Sequence, residues 1–209
     1  MKTKILLESW KSFLKEEDSL KIEKSEPKKF SIGLVPMSAK PFHKGHMFLV
    51  EEAIKNCEEV IIYVSTSDRS RKGEITIHGE DMKLIWEKVI KEHLPDNVEC
   101  VYGGSPVGRV YKYLGDISNS ESIDDKTYAI YTGQDDANRY QDKWWINIKD
   151  KVHVKEFLRG SDSPDISGTL MRSYLANGDQ DKSLFLDGLP DMPLDDKEEI
   201  YNILTKRLN

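Results

Sequence analysis

The chain has 209 residues and a net charge of −6; the length suits one domain with an appendage, and the acidic balance argues against a general nucleic-acid binder. Hydrophobic residues make up 38% and charged residues 33%, the mix of a soluble globular protein, with no apolar run long enough for a membrane span and no signal peptide at the start. The two cysteines, Cys57 and Cys100, fit a reduced, cytoplasmic setting better than a disulfide framework.

Residues 3–17 have the spacing of an amphipathic helix, with Ile5, Leu6, Trp10, Phe13 and Leu14 on one side. The charged stretch up to Lys29, which contains Pro27, reads as a linker. The chain therefore divides at about 1–28 and 29–209. The helix either packs on its own domain or docks on a second copy or another protein.

Residues 30–35 are an apolar run that reads as a buried strand. A loop, Pro36-Met37-Ser38-Ala39-Lys40-Pro41-Phe42-His43-Lys44-Gly45-His46, leads into a helix with Met47, Val50, Ile54 and Cys57 on its apolar side. A strand–loop–helix unit presents the loop to a helix N-terminus, where backbone N–H groups and the macrodipole favour an anion. Residues 60–64 form a continuous apolar run, the pattern of a parallel strand covered on both faces. A basic loop with Arg69, Arg71 and Lys72 follows. It is either a solvated loop or a clamp for a substrate phosphate.

A helix carrying Met82, Ile85, Trp86, Val89 and Ile90 should stop before Pro95. Residues 98–102 read as the third strand, a helix lies around Arg109 and Leu114, and residues 116–126 read as a polar surface loop. The fourth strand is residues 128–131, followed by Gly133-Gln134-Asp135 and a helix-like stretch through Trp145. In the fifth strand Val152, Val154 and Phe157 alternate with His153, Lys155 and Glu156. A helix then starts near Ile166, and Gly178 is placed to terminate it. The last helix, about 195–208, shows a capping-box pattern in Asp195 and Glu198. Strands alternating with helices predict an α/β fold, a parallel five-stranded sheet with helices on both faces.

Three segments carry a resemblance. His43-Lys44-Gly45-His46 resembles the H-x-G-H signature of the nucleotidylyltransferase superfamily, and Ile166-Ser167-Gly168-Thr169-Leu170-Met171-Arg172 is similar to its second signature, I-S-x-T-x-x-R. Gly133-Gln134-Asp135 followed by Trp144 and Trp145 looks like the G-x-D…W segment of nicotinamide-nucleotide adenylyltransferases. The chain departs from the pattern at Met37, Ala39 and Lys40, where Gly, Phe and often Gln or Asn stand, and at Gly168, where Ser is common.

The resemblance implies a Rossmann-like nucleotidylyltransferase fold and transfer of AMP from ATP to a small phosphorylated acceptor, nicotinamide mononucleotide foremost, with release of pyrophosphate. Cytidylyltransferases and pantetheine-phosphate adenylyltransferases share both signatures, and a non-catalytic nucleotide-binding module is the alternative of another class. It implies His43, His46 and Arg172 as catalytic residues. Lys44, Gly45, Gly133, Asp135, Ser167, Gly168 and Thr169 would hold the nucleotide. By residue chemistry alone, Lys40 adds a charge to that site, and Arg69, Arg71, Lys72, Trp144 and Trp145 are candidates for holding the acceptor. Mg²⁺ would arrive with the nucleotide, bound by phosphates and water and by no dedicated protein ligands. The residue chemistry agrees: compact imidazole donors, a planar guanidinium fork and hydroxyls at a helix N-terminus all suit phosphate oxygens. Either tryptophan serves equally well as a stacking platform or as core.

Overall fold

Each predicted apolar run becomes a strand of one sheet. The structure, a computed structural model, describes residues 27–207; the expected N-terminal helix and most of its linker lie outside the described residues. The strands are β1 (Phe30–Met37), β2 (Cys57–Val64), β3 (Val98–Tyr102), β4 (Tyr128–Gly133) and β5 (Val152–Phe157). All pairings are parallel, in the order β3-β2-β1-β4-β5. Gly33 in the central strand pairs with Val60 on one side and Ala129 on the other.

Parallel neighbours need long crossovers, and here helices supply them on both faces. The helices are α1 (Lys44–Asn56), α2 (Gly79–Lys88), α3 (Pro106–Ser118), α4 (Gln134–Ala137), α5 (Gly168–Ala176), α6 (Lys182–Gly188) and α7 (Leu194–Thr205). Alternate residues of β1 serve opposite faces, as a period of two requires. Val35 and Met37 join a core with residues of α1, α2, α5, α6 and α7. Ile32 and Leu34 face the other core, built on Val110 and Leu114 of α3 together with Trp145 and Ile148. This is the parallel α/β sheet that the alternation of elements predicts and the Rossmann-like architecture that the resemblance implies.

Several local expectations are corrected. Cys57 is not the last apolar residue of α1; it is the first of β2 and also the cap of α1, its N–H bonding the Ala53 carbonyl. Helix and strand meet without a loop, and Cys57 enters the same core either way. The stretch after β4 is not one helix: α4 is a single turn, followed by 3₁₀ segments at Asp142–Trp144 and Ile146–Lys151. Helix α6 was not anticipated, because seven residues are too short to display a helical period. At β5 the alternation fails, since Val154 is exposed while Lys155 is half-buried with its ammonium 5.0 Å from the Phe30 ring centre. Finally, no capping box forms at α7. The helix starts at Leu194 behind Pro193, which puts Asp195 inside the first turn, and Glu198 pairs with Lys182 at 3.1 Å.

The strand order reverses between β1 and β4. In open α/β sheets the crevice beyond the carboxyl ends of the strands at that point is the natural binding position.

Candidate active site

A cavity of about 580 Å³ opens at that crevice, within the ordinary range for small-molecule sites. Its walls come from the loop after β1, the first turn of α1, the loops after β2, β4 and β5, and the start of α5.

His43 is the cap residue of α1 and His46 lies in its first turn. The two rings sit 3.8 Å apart between centroids, and His46 also stacks on Phe42 at 5.8 Å. Gly45 makes this possible. A Cβ there would lie 3.1 Å from both Cε1 and Nδ1 of His43 and 3.3 Å from Ile166 Cγ2, so a side chain would press on the His43 ring. Burial, His46 and the Arg159 charge push the His43 pKa far below the ordinary imidazole value. Burial and Arg159 bring His46 down to about 4. Near neutral pH both rings are therefore uncharged, each with one N–H to donate. Both Nδ1 atoms are buried and have no hydrogen-bond partner among the described residues.

Arg172 reaches the cavity from α5 and is almost wholly buried. It donates from Nε to Glu74 Oε2 at 2.7 Å, from Nη1 to the Lys40 carbonyl at 2.7 Å, and from Nη2 to Thr169 Oγ1 at 2.9 Å. Ser167 caps α5, its Oγ accepting from the Leu170 N–H at 3.1 Å. The Ser167 and Thr169 hydroxyl protons remain free to donate to a ligand. A Cβ at Gly168 would stand 3.1 Å from Arg172 Nη1 and 3.2 Å from the Lys40 carbonyl oxygen. Glycine at this position thus gives the guanidinium and the Lys40 carbonyl room to meet. Through that hydrogen bond the two signature segments touch, although the residues are 132 positions apart.

Two further cations complete the wall. The Lys40 ammonium is buried and donates to Ser65 Oγ at 3.1 Å; desolvation lowers its pKa. Arg69 also lines the cavity, and its buried Nε has no hydrogen-bond partner among the described residues. Among the described residues neither has a carboxylate within ion-pairing distance. Ala39, buried in the same loop, holds φ at +48°. That left-handed backbone is uncommon for a residue with a Cβ and is the kind of local cost that ligand-gripping loops carry.

Gly133 and Asp135 line the cavity from the end of β4, Asp135 exposed in the single turn of α4. The other expected residues lie elsewhere. Lys44 is exposed and points to the Asp187 carbonyl at 3.5 Å, outside the cavity. Arg71 and Lys72 are exposed on the far part of their loop and line no wall. Trp145 is fully buried in the core under α3. Trp144 stacks on Tyr111 at 5.1 Å, likewise away from the cavity. The chain after β4 turns back beneath α3, where Asn147 bonds Ser118 at 2.8 Å, and this carries both tryptophans off the site.

Sequence reading missed Ser65, Arg139 and Arg159, all of which line the cavity. Arg159 stands two residues beyond the end of β5, and its position at a strand's carboxyl end was the available signal. Among the described residues no group of three or more His, Cys, Asp or Glu side chains is placed to hold a metal ion. No described helix is long and apolar enough to cross a membrane.

Comparison with known proteins gives a partial family match and distant structural likenesses. A family model described as the citrate lyase ligase C-terminal domain matches residues 32–95. No curated protein matches the chain. Among solved structures, it is similar to a bifunctional NMN adenylyltransferase/ADP ribose pyrophosphatase from Francisella tularensis, at 17% identity and a TM-score of 0.46. The same kind of protein from that organism, complexed with AMP and a manganese ion, gives 17% identity and a TM-score of 0.45. The match covers 71% of this chain in both cases but only 43% and 42% of those chains, so this chain spans less than half their length. The family match takes in His43, His46 and Arg69 and stops well before Arg172.

Proposed function

We propose that the protein is a nucleotidyltransferase that moves AMP from ATP to a phosphate-bearing acceptor and releases pyrophosphate. One observation carries this reading: two distant segments put a pair of uncharged imidazoles and a fixed guanidinium on the wall of one cavity. In the reaction an acceptor oxygen bonds to the α-phosphorus as the bond to the pyrophosphate oxygen breaks. Positioning and charge stabilisation do most of that work.

His43 and His46 donate to the α- and β-phosphates, where negative charge builds in the transition state. Arg172, Ser167 and Thr169 hold the β- and γ-phosphates at the start of α5. Asp135, at the end of β4, accepts from ribose hydroxyls. Lys40 adds its charge to the nucleotide phosphates, whereas Arg69 and Arg159, which have no carboxylate within ion-pairing distance among the described residues, suit the second anion, that of the acceptor. Mg²⁺ would neutralise phosphate charge; phosphate oxygens and water would hold it, and Asp135 and Asp136 are carboxylates on the cavity wall. With Trp144 and Trp145 off the site, nicotinamide mononucleotide is supported as acceptor by the Gly133-Gln134-Asp135 resemblance and by the cationic wall, not by a tryptophan platform.

The match over residues 32–95 favours a second reading. In a ligase that proceeds through an adenylate, a carboxylate attacks the same α-phosphorus from the same cationic wall. Pyrophosphate release, measured with ATP or CTP against nicotinamide mononucleotide, phosphopantetheine and a set of carboxylic acids, separates the readings. Release with ATP and a phosphate acceptor is the expected result. Release with carboxylates alone selects the ligase, release with CTP selects a cytidylyltransferase, and nucleotide binding without release selects a non-catalytic module.

A further inference from the structure

Arg172 is a buried cation whose usefulness to a phosphate depends on its orientation, and three acceptors fix it. Two are local to the site: Thr169, three residues earlier, and the Lys40 carbonyl. The third, Glu74, is 98 positions away. Its carboxylate meets Arg172 Nε at 2.7 Å, with the arginine side chain 4% and the glutamate side chain 22% exposed. Arg172 lines the cavity and Glu74 does not. The carboxylate thus grips the guanidinium from outside the ligand space. Of the five N–H groups of an arginine, one on each terminal nitrogen is left for a ligand.

Glu74 is itself held in place. Its N–H bonds the Arg71 carbonyl at 3.0 Å, closing a turn, and the loop is pinned at its base by paired hydrogen bonds between Arg69 and Ile77 at 2.8 and 3.0 Å. The same loop carries Arg69 into the cavity. The hydrogen bond from Arg172, with the charges of Arg172, Arg69 and Arg71, holds the Glu74 carboxyl below the usual range, so it stays ionised.

We propose that Glu74 is a positioning residue. Its carboxylate fixes the plane of Arg172 so that both free N–H groups meet phosphate oxygens, and it docks the Arg69 loop against the same site. The proposal rests on the nucleotidyl-transfer reading for the nature of the anion, a pyrophosphate or triphosphate group.

Two substitutions separate geometry from charge. Glu74→Gln keeps an acceptor oxygen at the same reach without the charge; Glu74→Asp keeps the charge and loses one methylene of reach. Affinity for inorganic pyrophosphate is measured by calorimetry, and kcat and KM for the nucleotide are measured alongside thermal stability. Glu74→Gln should bind within about threefold of the wild type, whereas Glu74→Asp should bind about tenfold more weakly and show a matching rise in KM. The reverse pattern, equal losses, two wild-type-like variants or a wild type that does not bind pyrophosphate would each overturn the proposal. The expected binding pattern in a protein that transfers no nucleotide removes the proposed function and leaves Glu74 its role. Wild-type turnover untouched by either variant does the opposite.

Discussion

The two sides of the cavity are built differently. On the side of β1 and α5, Lys40, His43 and Arg172 are 4%, 6% and 4% exposed, and Lys40 and Arg172 are tied by hydrogen bonds before any ligand arrives. On the side of β4 and β5, Asp135, Asp136, Arg139 and Arg159 are exposed; among the described residues Arg139 pairs only with its neighbour Asp136, at 3.0 Å. A dry, pre-bonded wall costs little reorganisation when charge develops against it, and its electrostatics are strong. An exposed wall is screened and adaptable. The phosphates, which are common to every nucleotidyl transfer, would meet the first wall, and the acceptor, which varies, would meet the second.

The sharpest way to break this contrast is His46→Ala. On the dry side, removing one donor to developing charge should lower kcat about 10²–10³-fold, with KM for the acceptor little changed. Pyrophosphate release under saturating substrates measures it. Wild-type turnover in this variant would take the ring out of the mechanism and leave the contrast without chemical meaning.

The dry side was also the legible side. Gly45 stands where a Cβ would press on the His43 ring, so local crowding fixes residue type at that spacing, and spacing is visible in a sequence. The strands were legible for a related reason: β1, β4 and the part of β2 from Val60 on are largely covered on both faces and so read as apolar runs. Trp144 and Trp145 were not legible, since an aromatic ring suits a core and a stacking platform equally. Only the turn of the chain beneath α3 decides between them. Glu74 escaped because its partner lies on the other side of the sequence, and Arg159 because an exposed loop cation has no local pattern to announce it.

A second test uses protons. The His46 pKa is about 4 in the folded protein and roughly 6.5 in an unfolded chain. Between those values the unfolded state binds more protons, so stability is full above pH 6.5 and falls as the pH drops. For one histidine the slope reaches about 1.4 kcal/mol per pH unit. His43 acts with the same sign, its pKa also being lowered. Asp68 and Glu74, whose carboxyl pKa values are depressed, lose their contributions only at more acidic pH. Thermal melts between pH 7.5 and 4.5 should therefore show a decline that is shallower in His46→Gln. A flat wild-type profile over that range would mean the imidazoles are not desolvated.

The smallest effect belongs to the exposed side. Arg159→Ala should raise KM for the acceptor about tenfold at low salt and leave kcat within about twofold, since an exposed cation steers and holds an anion without touching the reacting bonds. High salt should erase the KM difference, whereas the His46→Ala defect should persist, because buried groups are screened much less. Arg159 also depresses both histidines. Its removal should raise their pKa values and make the acid-induced loss of stability smaller, a shift that the same melts detect. If Arg159→Ala instead lowered kcat as severely as His46→Ala at every salt concentration, the guanidinium would have to move onto the reacting phosphates when substrate binds. The exposed loop after β5 would then be part of the catalytic wall.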